Sequence, residues 1–436
     1  MDQNISVHKL EPDIFRNFGE RSLLPKAKDV FIPPGLISTG VPGGHSSLKR
    51  AGQQGKAENK EADAKHETPC CSNEELLQRA EKLLLPCFVH NDLDHPAVQE
   101  IFRLAGKRLA KTLAGDPKTS FAPVQRIRTR RHGEILFGKN QALIKPADQM
   151  IVNLNELELL PLPGLVQEMQ KAMVDPKCTA ATLAGIMEQY PGISRRLLKV
   201  VNSSFYSLPI RIDSVFQAAA ILGIKRLSML VLGLTIRSVF KEVAPPSMDM
   251  KKFWRHSMAC AIASKTMGAA RMGLNNVRLF LAGLLHDIGR LILMKNHPEY
   301  MRLAEKKAVK ERKAHYFAEA EVLGLDHAEV GGLLVSRWKF SLVLEQIISC
   351  HHEPSLSVHP VETAIVHVAD ILANVYTLDM ENEEYVPPLD PYAWELLKLD
   401  PAVFAPCLRR IDRVLEQKQK NSNGKSGLED LAAKAV

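Results

Sequence analysis

The sequence LFLAGLLHDIGRLIL, residues 279–293, places the adjacent residues His286 and Asp287 inside a run that is otherwise almost entirely apolar. A buried histidine or carboxylate without a partner loses its hydration, so both side chains are expected to point into a helical bundle or a cleft. A neutral imidazole beside a carboxylate is a natural ligand for a divalent first-row metal. Because a lone His-Asp pair often arises by chance, it predicts a metal site only together with further ligands.

Further candidate ligands occur in other segments with helical periodicity, and nine of the 15 histidines lie at or beyond position 256. The candidates are His256 in WRHSMACA, His327 in DHAEVGGLL, His351 and His352 in SCHHEP, and Asp370 in VHVADILAN. Cys260 and Cys350 lie close to two of these histidines and are alternative ligands, although small buried thiols more often belong to a core. The remaining late histidines are interpreted as surface residues or as hydrogen-bonded core residues.

Helical periodicity runs through nearly all of the chain from Leu160 to about Leu415. The phrase LPLPGLVQEMQKAMVD begins this region as an amphipathic helix bounded by prolines, and VFQAAAILGIKRLSMLVLG predicts two buried helices with a break near Gly223. The chain is 45% hydrophobic, 24% charged and only 6% aromatic, which favours helices over a β-sandwich. The sequence therefore predicts an all-α, multi-helix bundle.

Composition also divides the chain into regions. The first 69 residues are rich in Gly, Pro, Ser, Lys and Gln without an apolar period, which predicts disorder. A small helical or mixed region of unassigned role follows, with a β-like pattern between residues 126 and 154. The predicted regions are residues 1–69 (disordered), 70–150 (small N-terminal region), 155–380 (main helical domain), 381–418 (C-terminal helices) and 419–436 (tail).

Several classes of protein are not expected. The seven cysteines are odd in number and mostly scattered, which indicates reduced thiols in a cytoplasmic protein rather than a disulfide scaffold or zinc ribbon. No leader or membrane span is indicated. The net charge of +8 is spread along the chain. The densest basic cluster, RIRTRRH at residues 126–132, is interpreted as a solvated loop or strand edge, so nucleic-acid binding is not expected.

The order of these candidate ligands resembles that of the HD superfamily of metal-dependent phosphohydrolases, in which a histidine is followed by an HD pair and a late aspartate. The matching positions are His256, His286, Asp287 and Asp370. His327, His351 and His352 resemble the extra histidines by which the HD-GYP subgroup holds a second metal. The resemblance implies a centre for divalent iron, manganese or zinc, with room for two ions.

The upstream half of the region resembles the HDOD family, through the proline-led first helix, the phrase NSSFY at residues 202–206 and the phrase QAAAILG at residues 217–223. This resemblance covers about Leu160 to Asn374 and implies an HDOD-type bundle. Pro354 and the residues after it replace the DGxGYP segment of the HD-GYP subgroup, which removes the best reason to expect cyclic di-GMP as substrate. HDIGR replaces HDIGK, so Arg290 is a candidate for meeting a phosphate, with Asp287 as its catalytic partner.

Two functions remain in competition. In the first, the domain is a signalling or regulatory module with an HD-type metal site that acts through a protein partner or a nucleotide, as HDOD domains are usually regarded. In the second, it is a metal-dependent phosphohydrolase or phosphodiesterase that acts on a nucleotide or cyclic dinucleotide. The retained ligands favour a real metal site, and a metal held for structure or sensing alone satisfies the first function. A homodimer is compatible with either.

Overall fold

The computed structural model describes residues 72–115, 150–175, 177–202, 210–243, 248–378 and 385–415. The predicted disorder of residues 1–69, the basic cluster at residues 126–132 and the predicted tail at residues 419–436 lie outside these ranges. Within them the regular structure is helical and contains no β-strand, so the predicted all-α class is confirmed. From Asn73 onward, the described residues belong to one compact unit.

The chain begins its described part with a helical hairpin, which we call the N-terminal hairpin: α1 (Asn73–Leu84) and α2 (Pro96–Gly115). One face of each helix supplies buried residues, among them Leu84 in α1 and Ile101 in α2. Phe88 and Phe102 meet edge to face, with ring centroids 5.1 Å apart, and this contact closes the hairpin.

Five helices follow and form the first lobe: α3 (Gly164–Val174), α4 (Ala180–Glu188), α5 (Pro191–Val201), α6 (Val215–Leu222) and α7 (Ile224–Val243). Thr179 begins α4 with a reciprocal capping box, and the Ser214 hydroxyl accepts a hydrogen bond from the amide of Gln217 at the start of α6. The predicted break near Gly223 is present, because this glycine has φ +84° between α6 and α7.

Eight helices form the second lobe: α8 (Met250–Ala269), α9 (Asn276–Leu285), α10 (Ile288–Asn296), α11 (Pro298–Glu311), α12 (His315–Leu323), α13 (His327–Arg337), α14 (Leu342–Ser349) and α15 (Pro360–Thr377). Asp249, Asn275, Asp326 and Ser341 accept backbone hydrogen bonds at the starts of α8, α9, α13 and α14. Helix α15 is buried along most of its length and packs against α8 and α9.

Close approach of α10 and α13 requires a residue without a side chain. A Cβ atom placed on Gly289 would lie 2.0 Å from the carbonyl oxygen of His327 and 2.6 Å from the amide nitrogen of Gly331. Only glycine fits at this crossing, and the crossing brings the start of α13 against the start of α10. Two of the predicted ligand positions are thereby placed side by side.

Two short helices, α16 (Pro391–Leu397) and α17 (Phe404–Leu415), complete the described chain. Helix α17 packs against α8 and also against α2 of the N-terminal hairpin. Arg108 in α2 forms an ion pair with Asp412 in α17, and its guanidinium carbon lies 4.1 Å from the ring centroid of Tyr376 in α15. The hairpin is thus packed on the second lobe. Across the described ranges no helix is both long and apolar enough to cross a membrane.

Candidate metal centre

The His-Asp pair lies where one apolar run divides into two helices. Helix α9 ends at Leu285, Asp287 adopts φ −91° and ψ 4°, and α10 begins at Ile288. His286 is fully buried, and its Nδ1 lies 2.9 Å from the carbonyl oxygen of Gly283. Donation of the Nδ1 proton to that oxygen leaves Nε2 directed toward the other candidate ligands.

Four of the predicted ligands, His256, His286, Asp287 and Asp370, lie together and are called the first cluster. His256 Nε2 is 3.2 Å from His286 Nε2, 3.0 Å from Asp370 Oδ1 and 3.5 Å from Asp287 Oδ2. His286 Nε2 is 3.2 Å from Asp370 Oδ1 and 3.4 Å from Asp287 Oδ1. Ligand atoms that bind one ion at about 2.0–2.2 Å lie roughly 3.0–3.5 Å from each other, so this spacing suits a shared metal.

The other three predicted ligands, His327, His351 and His352, form the second cluster, and one ligand atom from each lies within 4.8 Å of the others. His327 Nε2 is 3.0 Å from His352 Nε2 and 3.0 Å from Asp287 Oδ1. Because Asp287 contacts histidines of both clusters, its carboxylate lies between them. The clusters also meet through His286, His351 and Asp370, which offer atoms within 4.8 Å of one another.

The ring of His351 is the clearest sign that something is to be bound here. Its Nδ1 lies 2.8 Å from the carbonyl oxygen of Ile348 and donates its proton to it. Its Nε2 is buried and has no hydrogen-bond partner in the described protein. A buried nitrogen with no partner costs free energy, and a metal ion would satisfy it.

Three further residues orient the ligands, and sequence reasoning did not find them. Glu319 in α12 is buried, and its Oε2 lies 2.5 Å from His327 Nδ1. Asn374 donates from Nδ2 to Asp370 Oδ1 at 2.8 Å, and Thr377 Oγ1 lies 3.4 Å from His256 Nδ1. Such contacts fix the orientation of a ligand. A signal existed for Glu319, since it is a carboxylate within the apolar stretch of α12.

The carboxylates of the first cluster are ionised. Burial alone would raise the pKa of Asp287, but the surrounding histidines, first His286 and then His327, hold it well below its ordinary value. The pKa of Asp370 is likewise held low against burial by hydrogen bonds from His256 and His286. Without an ion, the charge that keeps these two buried carboxylates ionised comes from the neighbouring histidines, and a bound divalent cation would supply it in their place.

The histidines divide into two electrostatic groups. Burial would lower the pKa of His327, but Glu319 and Asp287 outweigh it and raise the pKa to about 10. Asp287 likewise raises the pKa of His286, although burial alone would lower it. Burial, reinforced by neighbouring imidazoles, lowers the pKa of His351 to about 3 and that of His352 well below its ordinary value. His351 and His352 are therefore neutral, the form that binds metals, whereas His286 and His327 would each release a proton when an ion binds.

Arg290 and Tyr316 lie beside the clusters. Arg290 Nη1 is 3.8 Å from Asp287 Oδ2, its Nε is 3.8 Å from Glu319 Oε1, and its side chain is 24% exposed. The ring of Tyr316 stacks on that of His352, with centroids 3.9 Å apart. Arg290 is thus close to the clusters and partly exposed to solvent.

The alternative sulfur ligands are not favoured. Cys260 is fully buried, its Sγ lies 4.0 Å from the carbonyl oxygen of Val366, and burial raises the pKa of its thiol. Burial also raises the pKa of the Cys350 thiol. Neither cysteine belongs to the groups of donors in the described chain that could share an ion. The four histidines outside the family pattern, His297, His315, His359 and His367, are also absent from those groups.

Comparison with known proteins gives the same family as the motifs. Residues 159–354 match the model of the HDOD domain. A protein of Treponema pallidum (strain Nichols) without an assigned function is 23% identical over 197 residues, which are 44% of this chain and 37% of that protein. The chain therefore spans little more than a third of the length of this curated relative.

Solved structures resemble the chain at low identity. A candidate signal transduction protein from Marinobacter aquaeolei VT8 is 21% identical, with 60% of this chain and 59% of that chain covered and a TM-score of 0.50, which supports the fold. An HDOD domain protein from Geobacter sulfurreducens is 24% identical, with 63% and 87% covered and a TM-score of 0.47. A candidate phosphohydrolase from Shewanella amazonensis SB2B is 20% identical, with 65% and 96% covered and a TM-score of 0.49. The match of residues 159–354 to the family model identifies this part of the chain as an HDOD domain, as the motifs upstream of the His-Asp pair predict.

Proposed function

We propose that this chain is an HDOD-type regulatory protein that holds one or two divalent ions and acts by binding a protein partner or a nucleotide. The observation that carries the proposal is the convergence of all seven predicted ligands. They come from α8, the junction of α9 and α10, α13, the segment after α14, and α15. Chance does not readily bring four buried histidines and two buried aspartates from separate helices together.

The donor set fits a first-row metal. Imidazole and carboxylate together suit iron, manganese and zinc, and the unpartnered Nε2 of His351 points to a missing partner. His256, His286, Asp287 and Asp370 would hold a first ion, and His327, His351 and His352 a second, with Asp287 between the two. Bound divalent ions would supply Lewis-acid chemistry and neutralise negative charge on a phosphoryl group.

Burial of the centre favours regulation over turnover. Six of the seven candidate ligands are buried, and His352 is half-buried beneath the ring of Tyr316. An enclosed ion contributes binding free energy to the folded state, and so couples metal occupancy to the structure of the second lobe. The replacement of the DGxGYP segment after His351 and His352 also supports a regulatory role.

The test is the metal content of protein purified under reducing, low-oxygen conditions. The wild type should carry about one or two equivalents of iron, manganese or zinc, and the double variant His286→Ala/Asp287→Ala should lose them. The variant His359→Ala is the control, because it removes a half-buried histidine at the start of α15 that belongs to neither cluster. Metal at background level in the wild type after reconstitution with each ion would contradict the proposal.

A second candidate function, metal-dependent phosphohydrolysis, is favoured by one observation, the position of Arg290. Its guanidinium lies beside Asp287 and is partly open to solvent, where it could bind a phosphate in a bidentate manner. The Mn²⁺-loaded protein would be assayed with bis(p-nitrophenyl) phosphate and with cyclic dinucleotides. Hydrolysis that Arg290→Ala abolishes without loss of metal supports the enzyme, and no rate above buffer with any substrate contradicts it.

A further inference from the structure

We infer that the N-terminal hairpin controls the metal affinity of the centre through a hydrogen-bonded relay that ends on the backbone of His351. The relay runs from Asn91, between α1 and α2, through residues 386–390, which we call the strap, to His367 in α15. This inference concerns regulation of the proposed metal centre and so rests on the proposed function. Each of its three steps is a set of directional contacts between buried or half-buried groups.

The first step joins the hairpin to the strap. Asn91 is buried, and its Nδ2 donates to the carbonyl oxygens of Val386 and Pro387, both at 3.2 Å. Its Oδ1 accepts from the amide of Leu389 at 3.1 Å. The amide of Val386 also donates to the carbonyl of Cys87 at 2.9 Å. One asparagine side chain thus satisfies three backbone groups of the strap, and the strap's position depends on the hairpin.

The second step joins the strap to α15. The amide of Asp390 donates to His367 Nε2 at 3.0 Å, and His367 Nδ1 lies 2.9 Å from the carbonyl oxygen of His351. A neutral imidazole with its proton on Nδ1 satisfies both contacts at once, since it accepts at Nε2 and donates at Nδ1. His367 is buried, so neither bond is readily replaced by water.

The third step fixes the orientation of a candidate ligand, His351. The carbonyl of His351 is held by His367, and its ring is held through Nδ1 by Ile348, so the direction of its free Nε2 is fixed at both ends. His352 follows in the chain and shares this restraint. Movement of the strap would therefore disturb two ligands of the second cluster without touching either directly.

A second contact joins the hairpin to residues that adjoin the first cluster in the chain. The guanidinium carbons of Arg108 in α2 and Arg255 in α8 lie 4.1 Å and 5.4 Å from the ring centroid of Tyr376. Arg255 directly precedes the candidate ligand His256. The hairpin therefore contacts the neighbourhoods of both clusters. Because coupling between two sites is reciprocal, metal binding must strengthen hairpin docking by the same factor as docking strengthens metal binding.

The experiment measures Mn²⁺ affinity of the full chain by competition with a fluorescent chelator. We expect Asn91→Ala to weaken Mn²⁺ binding by about 5-fold or more. The matched control is Asn202→Ala, because Asn202 also bridges backbone groups, with Nδ2 2.6 Å from the carbonyl of Ile212 and Oδ1 2.7 Å from its amide, but belongs to the first lobe. Circular dichroism at the assay temperature verifies that each variant is folded.

A double-mutant cycle separates the relay from general destabilisation. His367→Asn keeps a donor near the position of Nδ1 for the carbonyl of His351 and loses the acceptor for Asp390, so it cuts the relay at the strap. In that background Asn91→Ala should no longer change Mn²⁺ affinity, because coupled residues are not additive. Hydrogen exchange in the wild type should also slow in α1 and α2 when Mn²⁺ is added.

The possible outcomes separate failure of the relay from failure of the proposed function. A loss of affinity in Asn91→Ala that is absent from Asn202→Ala and vanishes in the His367→Asn background supports the relay. Equal affinities in Asn91→Ala and the wild type, or additive losses in the cycle, overturn the relay and leave the proposed function intact. A wild-type protein that binds no Mn²⁺ overturns both together.

Discussion

Glu319 Oε2 lies 2.5 Å from Nδ1 of His327 and 3.0 Å from the backbone nitrogen of the same residue. One carboxylate oxygen thus holds both the ring and the main chain of His327 at the first residue of α13. Donation of the Nδ1 proton to Glu319 presents Nε2 to Asp287. Through this contact α12, which contributes no ligand, determines how α13 contributes one.

Replacement of Glu319 should therefore weaken metal binding. We expect Glu319→Gln to lower Mn²⁺ affinity by about 10-fold, because the amide oxygen still accepts but carries no charge, and Glu319→Ala to lower it by up to about 100-fold. Glu305→Gln is the control, since Glu305 is a half-buried carboxylate of neighbouring α11. Competition with a fluorescent chelator measures the Mn²⁺ affinity of the wild type and the three variants. Equal affinities in Glu319→Ala and Glu305→Gln would contradict the positioning role.

Gly289→Ala should disrupt the crossing of α10 and α13. The added methyl group would overlap the carbonyl of His327, so we expect the free energy of unfolding to fall by about 3 kcal/mol or more. Gly185→Ala is the control, because nothing lies within 4 Å of its Cβ position on α4, and it should stabilise the protein by about 0.5–1 kcal/mol. Urea denaturation measures the free energy of unfolding of both variants. Equal unfolding midpoints would show that α10 and α13 can move apart to admit the methyl group without loss of stability.

The all-α fold could be predicted because helical periodicity depends on what lies nearby in the chain, and the candidate ligands stood out because their order resembles that of the HD superfamily. Apolar residues at helical spacing mark the helices, and Gly223 marks the break between two of them. A histidine in an apolar helix needs a hydrogen-bonding or metal partner. Division of the run at His286 and Asp287 carries no such mark, since neither glycine nor proline stands at the break and apolar residues continue on both sides.

Residues that support the ligands depend on the tertiary structure and were not predicted. The sequence predicts that His367 is either a surface residue or a hydrogen-bonded core residue, and its burial and two hydrogen bonds agree with a core position. Its partners belong to segments 16 and 23 positions away. Asn91 contacts the strap across 295 positions. No local period encodes contacts over that separation, so the relay becomes visible only in the folded chain.

Metal removal should lower stability if the ions bind only the folded state. At a free Mn²⁺ concentration 100-fold above the Kd, binding adds about 2.7 kcal/mol to the free energy of unfolding. We expect EDTA to lower the Tm of the wild type by several degrees and to leave that of His286→Ala/Asp287→Ala unchanged. Scanning calorimetry measures both. An equal EDTA effect in the two proteins would place the stabilising ion elsewhere.

Lys265 in α8 predicts a pH dependence that is independent of the metal centre. Burial, together with the charges of Arg410 and Arg226, lowers the pKa of its ammonium group from 10.5 to about 8. In the folded protein Lys265 therefore loses its proton at lower pH than in the unfolded chain. The unfolded state binds more protons between about pH 8 and 10.5, so this group makes the free energy of unfolding rise with pH across that window.

Lys265→Met removes the half-buried charge and keeps an apolar side chain of similar length. We expect it to raise the free energy of unfolding at pH 7 by on the order of 1–3 kcal/mol and to remove the rise between pH 8 and 10.5. Lys251→Met, at an exposed position in the same helix, should change stability by less than about 0.5 kcal/mol. Urea denaturation from pH 7 to 10.5, with EDTA present throughout, measures the three proteins. If the free energy of unfolding of Lys265→Met still rises with pH, another group causes the rise, because the substitution leaves no proton at this position to be released.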